Sequence, residues 1–201
     1  MTSSLSAQGR ARLAQNILGA TFPVPKYIAW GTGSGTTSPT DEGLFNEVVV
    51  DGRTTGITSI ATISTNADSY EVTGTITSLH GGTITNIGLF DSGTTPYQTT
   101  LQIAITSTTQ TSITVVNPGI GIVPATPFDI QVLSEVMTVI NVVGNVWTVI
   151  RGINQSSPLA SIPLATVITT VSGVMFAKAD FIGLPLNTGD SVNFTIQVQF
   201  E

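Results

Sequence analysis

Apolar and polar positions along the chain follow two different periods, and the change from one to the other falls near the start. Over residues 3–18 the apolar side chains recur at helical spacing, which predicts one short amphipathic helix. Gly19 is typical of a helix C-cap, and Pro23 and Pro25 prevent the helix from continuing. Such a helix either covers its own core or serves as an attachment handle, and the sequence leaves both open.

After the helix, the pattern is that of short β-strands separated by turns. Residues 191–200 alternate apolar side chains with Asn, Thr and Gln, which predicts a half-buried strand. Residues 70–79 also alternate, and residues 136–150 predict a hairpin that turns at Gly144-Asn145. The other predicted strands are 27–30, 48–50, 57–64, 84–90, 101–105, 112–116, 128–132, 166–171 and 174–181. Turn signals recur roughly every 8–12 residues, as in an all-β sandwich or barrel.

Composition narrows the class of function. Only 9% of the residues are charged and the net charge is −6, whereas an average soluble protein has about 25% charged residues. A surface with so few charges tends to associate, so we expect neighbouring subunits to cover much of it. The six Lys and Arg residues are scattered, which argues against binding to nucleic acid or to an anionic membrane.

The scarcity of titratable groups also argues against an enzyme. Catalysis requires such side chains to converge on a cleft, and the chain has one histidine and no cysteine. The lack of cysteine excludes disulfides and thiolate metal sites. No run approaches about 20 consecutive apolar residues, so we expect no membrane-spanning helix. No secretory signal is apparent, so we expect synthesis in a cytoplasm.

Few residues are candidates for chemistry, and each also has a structural interpretation. His80 has no second metal ligand or nucleophile near it in sequence, which favours a surface turn. Gly31–Gly35 lacks the Gly-Lys-Ser/Thr of a phosphate-binding loop, which favours a flexible surface loop. Asp51, Asp91 and Asp190 each adjoin Gly or Ser, which favours turns over catalytic carboxylates or a calcium site. We therefore predict no catalytic, metal-binding or cofactor-binding residue.

Aromatic residues are the remaining candidates for a binding surface. A sugar-stacking platform would draw on Trp30, Trp147, Tyr27, Tyr70 and Tyr97. We favour core packing for Trp30 and Trp147, because both lie within predicted strands. Arg151, which precedes a glycine, is predicted to tether a turn or an interface by hydrogen bonds and not to bind an anion.

Two parts of the sequence resemble bacteriophage virion proteins. KYIAWGTGSGTTSPTDEGLFNEVVVDGR (Lys26 to Arg53) is similar to a pattern in phage tail fibres: an apolar strand, a Gly-Thr-Gly, a Thr/Pro loop and an acidic-Leu segment. ITNIGLFDSG (Ile84 to Gly93) and FAKADFIGLPLNTGDSVNFTIQVQF (Phe176 to Phe200) look like the later strands of the same unit. The resemblance implies that these three segments form one β-sandwich.

The residues between those later strands resemble a second small module of phage structural proteins. FDIQVLSEVMTVINVVGNVWTVIRGINQSS (Phe128 to Ser157) carries its pattern of strand, E-x-M-x-V, hairpin and W-T-V-x-R-G-x-N. That module usually continues into a His and a Gly, and the matching positions here are Ser161 and Leu164. The resulting prediction is an all-β chain made of a helix or attachment segment (1–25), a discontinuous β-sandwich (26–98 and 173–201) and an inserted small β module (99–172).

The resemblance implies a non-enzymatic structural protein of a tailed phage, located in the virion. We expect a tail or neck fibre or a baseplate appendage that assembles as a homotrimer and with other virion proteins. Contact with a host surface glycan would fit the projecting insert. The alternative is a capsid decoration protein that cements the head shell. A carbohydrate-active enzyme is a third class, and it would need paired carboxylates in a groove.

Overall fold

A computed structural model describes residues 2–63, 68–154 and 156–199 of the 201-residue chain. The predicted all-β class with one short helix is confirmed. The chain divides into two compact units, Met1–Thr94 with Gly173–Glu201, and Thr95–Ser172. The prediction placed the start of the inserted module at Thr99, and the second unit begins at Thr95.

The first unit is a sandwich of two antiparallel sheets. The described residues form a five-stranded sheet in the order β1-β13-β6-β2-β3 and a three-stranded sheet in the order β14-β5-β4. Their bounds are β1 Thr2–Leu5, β2 Tyr27–Gly31, β3 Thr54–Thr55, β4 Ile57–Ala61, β5 Ser69–Thr77, β6 Gly82–Phe90, β13 Met175–Leu186 and β14 Ser191–Gln199. The helix α1 spans Ala7–Ile17.

The core of the first unit lies between its two sheets. Trp30 and Leu89 project from the five-stranded sheet, and Val72 and Ile76 project from β5; all four are buried. Partly buried Phe194 packs edge-to-face on Trp30 at 6.1 Å between ring centroids. The alternation predicted for residues 70–79 and 191–200 therefore matches the buried and exposed faces of β5 and β14. Residue 200 lies outside the described residues, as does residue 64 of the predicted strand 57–64.

The second unit is a single antiparallel sheet that closes into a ring. Its order is β7-β12-β9-β10-β11-β8. The bounds are β7 Gln98–Thr100, β8 Ser112–Thr114, β9 Phe128–Val132, β10 Glu135–Val143, β11 Val146–Ile150 and β12 Val167–Thr170. The Gln102 N–H donates to the Thr114 carbonyl at 2.8 Å and the Val116 N–H to the Thr100 carbonyl at 2.9 Å, which joins the two outer strands. Closure satisfies the backbone groups that an open edge would leave unpaired.

The core of the second unit forms around Trp147, which is 1% exposed. Phe128 lies 5.6 Å from Trp147 in an edge-to-face arrangement, and Tyr97 lies 6.1 Å from it. The predicted hairpin of β10 and β11 is confirmed, with Gly144 at φ +60° in its turn. Few side chains other than glycine adopt such a backbone conformation without strain.

Three predicted elements are wrong in detail. The predicted helix over residues 3–18 begins later, because Thr2–Leu5 pairs with β13 as a strand and Ser6 caps the helix by accepting from the Gly9 N–H at 2.9 Å. Residues 48–50 form a turn and not a strand, since the Asp51 N–H donates back to the Val48 carbonyl. The predicted strand 101–105 contributes only isolated bridges, because the strand itself is Gln98–Thr100.

The helix packs on its own unit through its N-terminal half. Gly9 is buried against the backbone of Phe176, where a Cβ atom would overlap the carbonyl oxygen. Leu13 packs against the sandwich core. The other end differs, because Ile17 and Leu18 are each 87% exposed. The segment over residues 1–25 is thus part of the first unit and also presents an uncovered apolar end.

Candidate functional site

The predicted candidate residues occupy structural positions. His80 is exposed in the turn between β5 and β6. Asp51 accepts from the Trp30 indole N–H at 2.8 Å and from the Leu79 N–H at 2.9 Å. Asp91 accepts from the Val174 N–H at 2.7 Å and lies 3.8 Å from the guanidinium of Arg12. These carboxylates hold turns and neighbouring segments in place.

Asp190 also has a structural role. The Asp190 carboxylate accepts from the Asn187 N–H at 2.7 Å, within the turn between β13 and β14. Among residues 2–63, 68–154 and 156–199, no three His, Asp or Glu side chains lie together as metal ligands would.

The glycine-rich loop is held more firmly than a flexible surface loop. The buried Asn86 side chain donates to the carbonyls of Gly33 and Phe45, each at 3.2 Å, and accepts from the Phe45 N–H at 3.1 Å. Gly33 and Gly35 lie so close to Phe45 that a Cβ atom on either would overlap it. These glycines allow the loop to cover the outer face of the five-stranded sheet.

The aromatic residues do not form a shared platform. Trp30 is 0% exposed in the core of the first unit and Trp147 is 1% exposed in the core of the second, as predicted. Tyr97 belongs to the second core, and Tyr70 and Tyr27 pack against the first unit's clusters. These five residues therefore do not form a sugar-stacking surface.

Three cations are used in buried ion pairs. Arg53 meets Glu47 at 2.8 Å, Arg151 meets Glu135 at 2.5 Å and Lys178 meets Asp41 at 2.9 Å. Arg151 also donates to the carbonyls of Ser107, Gln110 and Leu159. The predicted tethering role of Arg151 is thus confirmed. Many of the chain's few charged side chains are therefore paired in the interior, where they are not available to a ligand.

Sequence reasoning missed the pair at Lys178. Lys178 and Asp180 occupy alternate positions of β13, which in sequence resemble the exposed face of a half-buried strand. In the fold, the loop carrying Asp41 and Phe45 covers that face, and Lys178 is 3% exposed. Burial lowers the pKa of the Lys178 amine, and the charge of Asp41 opposes that shift. The alternation in FAKADF was the available signal, but the covering loop is distant in sequence.

The three-stranded sheet of the first unit presents a candidate assembly surface. We call its outer strands, β4 and β14, the open edges, because in the described residues each pairs on one side only, with β5. Neither ITSIA nor SVNFTIQVQ contains a charged residue. Proteins usually place Lys, Pro or a bulge on such edges to prevent association with another chain. Two uncharged edges, one of five residues and one of nine, are therefore suited to association.

Apolar side chains accompany both open edges. On β4, Ile57 is 78% exposed and Ile60 is 75% exposed. A groove of about 410 Å³ lies beside β14, between the two sheets. Leu5, Phe181 and Ile196 are among the residues that line it. Burying an exposed isoleucine stabilises an interface by about 1.5–3 kcal/mol. The open edges thus offer both backbone hydrogen-bonding groups and apolar area.

A second groove lies beside the helix. Leu13, Phe22, Pro25 and Tyr70 line a volume of about 300 Å³. The Tyr70 hydroxyl donates to the Pro25 carbonyl at 2.6 Å, which connects β5 to the segment after the helix. Desolvation raises the pKa of Tyr70 to about 12.

This pKa shift predicts a loss of stability at alkaline pH. Tyr70 would ionise near pH 10 when unfolded and near 12 when folded, so the unfolded state releases its proton first and stability falls as pH rises through that window. We expect the free energy of unfolding of Tyr70→Phe to fall less than that of wild type between pH 10 and 12. Urea denaturation at both pH values, with Tyr27→Phe as the matched control, measures the difference; equal losses in the two variants would contradict it.

Comparison of the chain with known proteins found no match. No family model matches the chain, and no curated protein and no solved structure is similar to it at a significant level. Within the described residues, no helix combines the length and the apolar character needed to cross a bilayer.

Proposed function

We propose that the chain is a structural component of a tailed-phage particle that acts by assembly. Its place would be a tail or neck fibre or a baseplate appendage, where it would associate with copies of itself, as a homotrimer, and with other virion proteins. The observation that carries the assembly role is the pair of uncharged open edges with exposed Ile57 and Ile60. The phage assignment is supported by the sequence resemblance of residues 26–53, 84–93 and 128–157.

The distribution of charge supports a passive role. Arg53, Arg151 and Lys178 are each less than 5% exposed at the side chain and each is paired with an acid. A binding site for a charged substrate needs such groups at the surface of a cleft. The remaining surface is rich in hydroxyl and apolar side chains, such as the outer face of β5 with Thr73, Thr75 and Thr77. Such a surface suits contact with a neighbouring protein.

A second candidate, capsid decoration, is favoured by one feature. Ile17 and Leu18 are almost fully exposed at the C-terminal end of the helix. A decoration protein would insert such a segment between capsid subunits. The two candidates differ in copy number, because a decoration protein covers the shell and a fibre occupies a few tail sites.

The assembly role is tested by placing a charge on an open edge. In Ile60→Lys we expect the oligomer dissociation constant to rise at least about tenfold, since an interface would lose apolar burial and gain a charge. Ile150→Lys is the matched control, because Ile150 is a half-exposed isoleucine within the closed sheet of the second unit. Light scattering coupled to size-exclusion chromatography over a concentration series gives the constants. A monomeric wild type, or equal effects of the two substitutions, would contradict the proposal.

A further inference from the structure

Lys178 and Asp41 form a buried pair between two segments that are far apart in the sequence. The Lys178 Nζ atom lies 2.9 Å from Asp41 Oδ2, and the residues are 137 positions apart. Lys178 is 3% exposed and Asp41 is 8% exposed. The Nζ atom also lies 3.0 Å from the centroid of the Phe45 ring, which shields it from water. An amine and a carboxyl group are thus held in contact, and the same Asp41 oxygen also accepts from the Ser38 N–H at 3.0 Å.

Burial is the largest influence on the protonation of Lys178, and the charges of Asp41 and Asp180 oppose it. Burial lowers the pKa of Lys178, because the ammonium loses its hydration. Transfer of one proton from Nζ to Asp41 gives a neutral amine and a neutral carboxylic acid without any change in the total number of protons. The neutral amine is the nucleophile in acyl transfer, and the neutral acid is the better electrophile.

A second carboxylate lies on the same strand as Lys178. Asp180 is two residues from Lys178 on the same face of β13, and its charge acts on the Lys178 amine. Its Oδ2 atom accepts from the Thr37 N–H at 2.5 Å. Its Oδ1 atom is buried and has no hydrogen-bond partner in the part of the chain that the structure describes. A buried acceptor of this kind is costly to leave unpaired, and it is available to receive a proton.

We propose that Lys178 and Asp41 become joined by an intramolecular isopeptide bond. The Nζ lone pair attacks Cγ of the neutral Asp41 carboxyl group and a C–N bond forms. Asp180 takes a proton from Nζ and returns it to the hydroxyl group on Cγ, which leaves as water when the C–O bond breaks. The products are one amide and one water, and the reaction needs no oxidant or cofactor. Contact between the reacting groups supplies the high effective concentration that the step requires.

The bond would join the two sequence segments of the first unit. Asp41 lies between β2 and β3, and Lys178 lies on β13, which follows the whole second unit in the chain. The cross-link would close a loop of more than a hundred residues and so restrict the unfolded chain strongly. In a chain without cysteine, it would supply the covalent stabilisation that disulfides supply elsewhere. The inference does not depend on the proposed function.

Intact-mass spectrometry of the purified full-length protein under denaturing conditions tests the bond. We expect the wild type to be lighter than its sequence by the mass of one water, and a protease digest to yield a branched peptide containing Asp41 and Lys178. In Lys178→Met we expect the full sequence mass. In Asp41→Asn the same amide forms with loss of ammonia in place of water, so the linked product has the same mass as linked wild type.

Two further measurements separate the bond from other losses of water. A cyclised Asp51-Gly52 sequence would also lose water, but Lys178→Met would retain that loss and the digest would contain no branched peptide. Asp180→Asn should keep the fold and accumulate the unlinked form, which distinguishes a proton carrier from a residue that only packs. A wild type of full sequence mass after prolonged incubation at neutral pH, or a loss of water that persists in Lys178→Met, would overturn the proposal.

Discussion

Replacing Glu135 with alanine is expected to lower the free energy of unfolding of the second unit by about 3–5 kcal/mol, because it leaves a buried cation without its partner. Glu135 is 0% exposed. Its two oxygens accept from Arg151 Nε at 2.5 Å and Nη2 at 2.6 Å. They also accept from the N–H groups of Gly152 at 3.2 Å and Leu159 at 2.9 Å. One substitution therefore removes four hydrogen bonds.

Trp147 makes the effect measurable in one unit. The chain has two tryptophans, and Trp147 lies in the core of the second unit. In a Trp30→Phe background, tryptophan fluorescence during urea denaturation therefore reports on that unit alone. Asp129→Asn is the matched control, since Asp129 accepts from the Thr138 hydroxyl at 2.6 Å and has no cation partner in the described residues. We expect the control to cost about 1 kcal/mol or less. A similar small loss in Glu135→Ala would show that the ion pair does not stabilise the unit.

Replacing Trp30 with alanine is expected to destabilise the first unit by about 3–5 kcal/mol. The side chain is fully buried between the two sheets and packs on Phe194. Its indole N–H donates to Asp51, which also accepts from the Leu79 N–H. The substitution thus creates a cavity and removes the indole hydrogen bond to the Asp51 carboxylate.

A comparison with Trp30→Phe separates these contributions. Phenylalanine keeps most of the apolar volume and loses the indole donor, so we expect a cost of about 1–2 kcal/mol. Hydrogen exchange measured by mass spectrometry locates the effect, because protection of amides in β2 and β6 should fall in both variants and fall further in Trp30→Ala. Exchange rates in β9 and β10 of the second unit serve as the internal reference. Unchanged protection in β6 of the alanine variant would contradict the assigned core.

The alternation of side chains was sufficient to predict the elements that have one buried face. β5, β14 and the hairpin of β10 and β11 were found because a half-buried strand must alternate. Residues 48–50 are an exception. Three consecutive valines favour a strand, but the chain turns at these residues. The strand Thr2–Leu5 was missed because its partner is β13, near the other end of the chain.

The buried polar groups were harder to predict. Asn86 organises the glycine-rich loop from a strand more than 40 residues away, and Lys178 meets Asp41 across 137 residues. No local pattern signals such pairs, because they exist only once the loop lies over the sheet. Arg151 was predicted as a tether because a glycine follows it, but its partner Glu135 was not.

Immunogold electron microscopy tests the central claim, which is that the chain is a structural component of a phage particle. An antibody against this protein would be applied to particles purified from lysates of the strain whose genome encodes it. The account predicts gold on the particles, at the tail, neck or baseplate. Gold distributed over the head would favour the decoration-protein hypothesis over the appendage hypothesis. Labelled protein that stays in the soluble fraction while the particles remain bare would contradict the account.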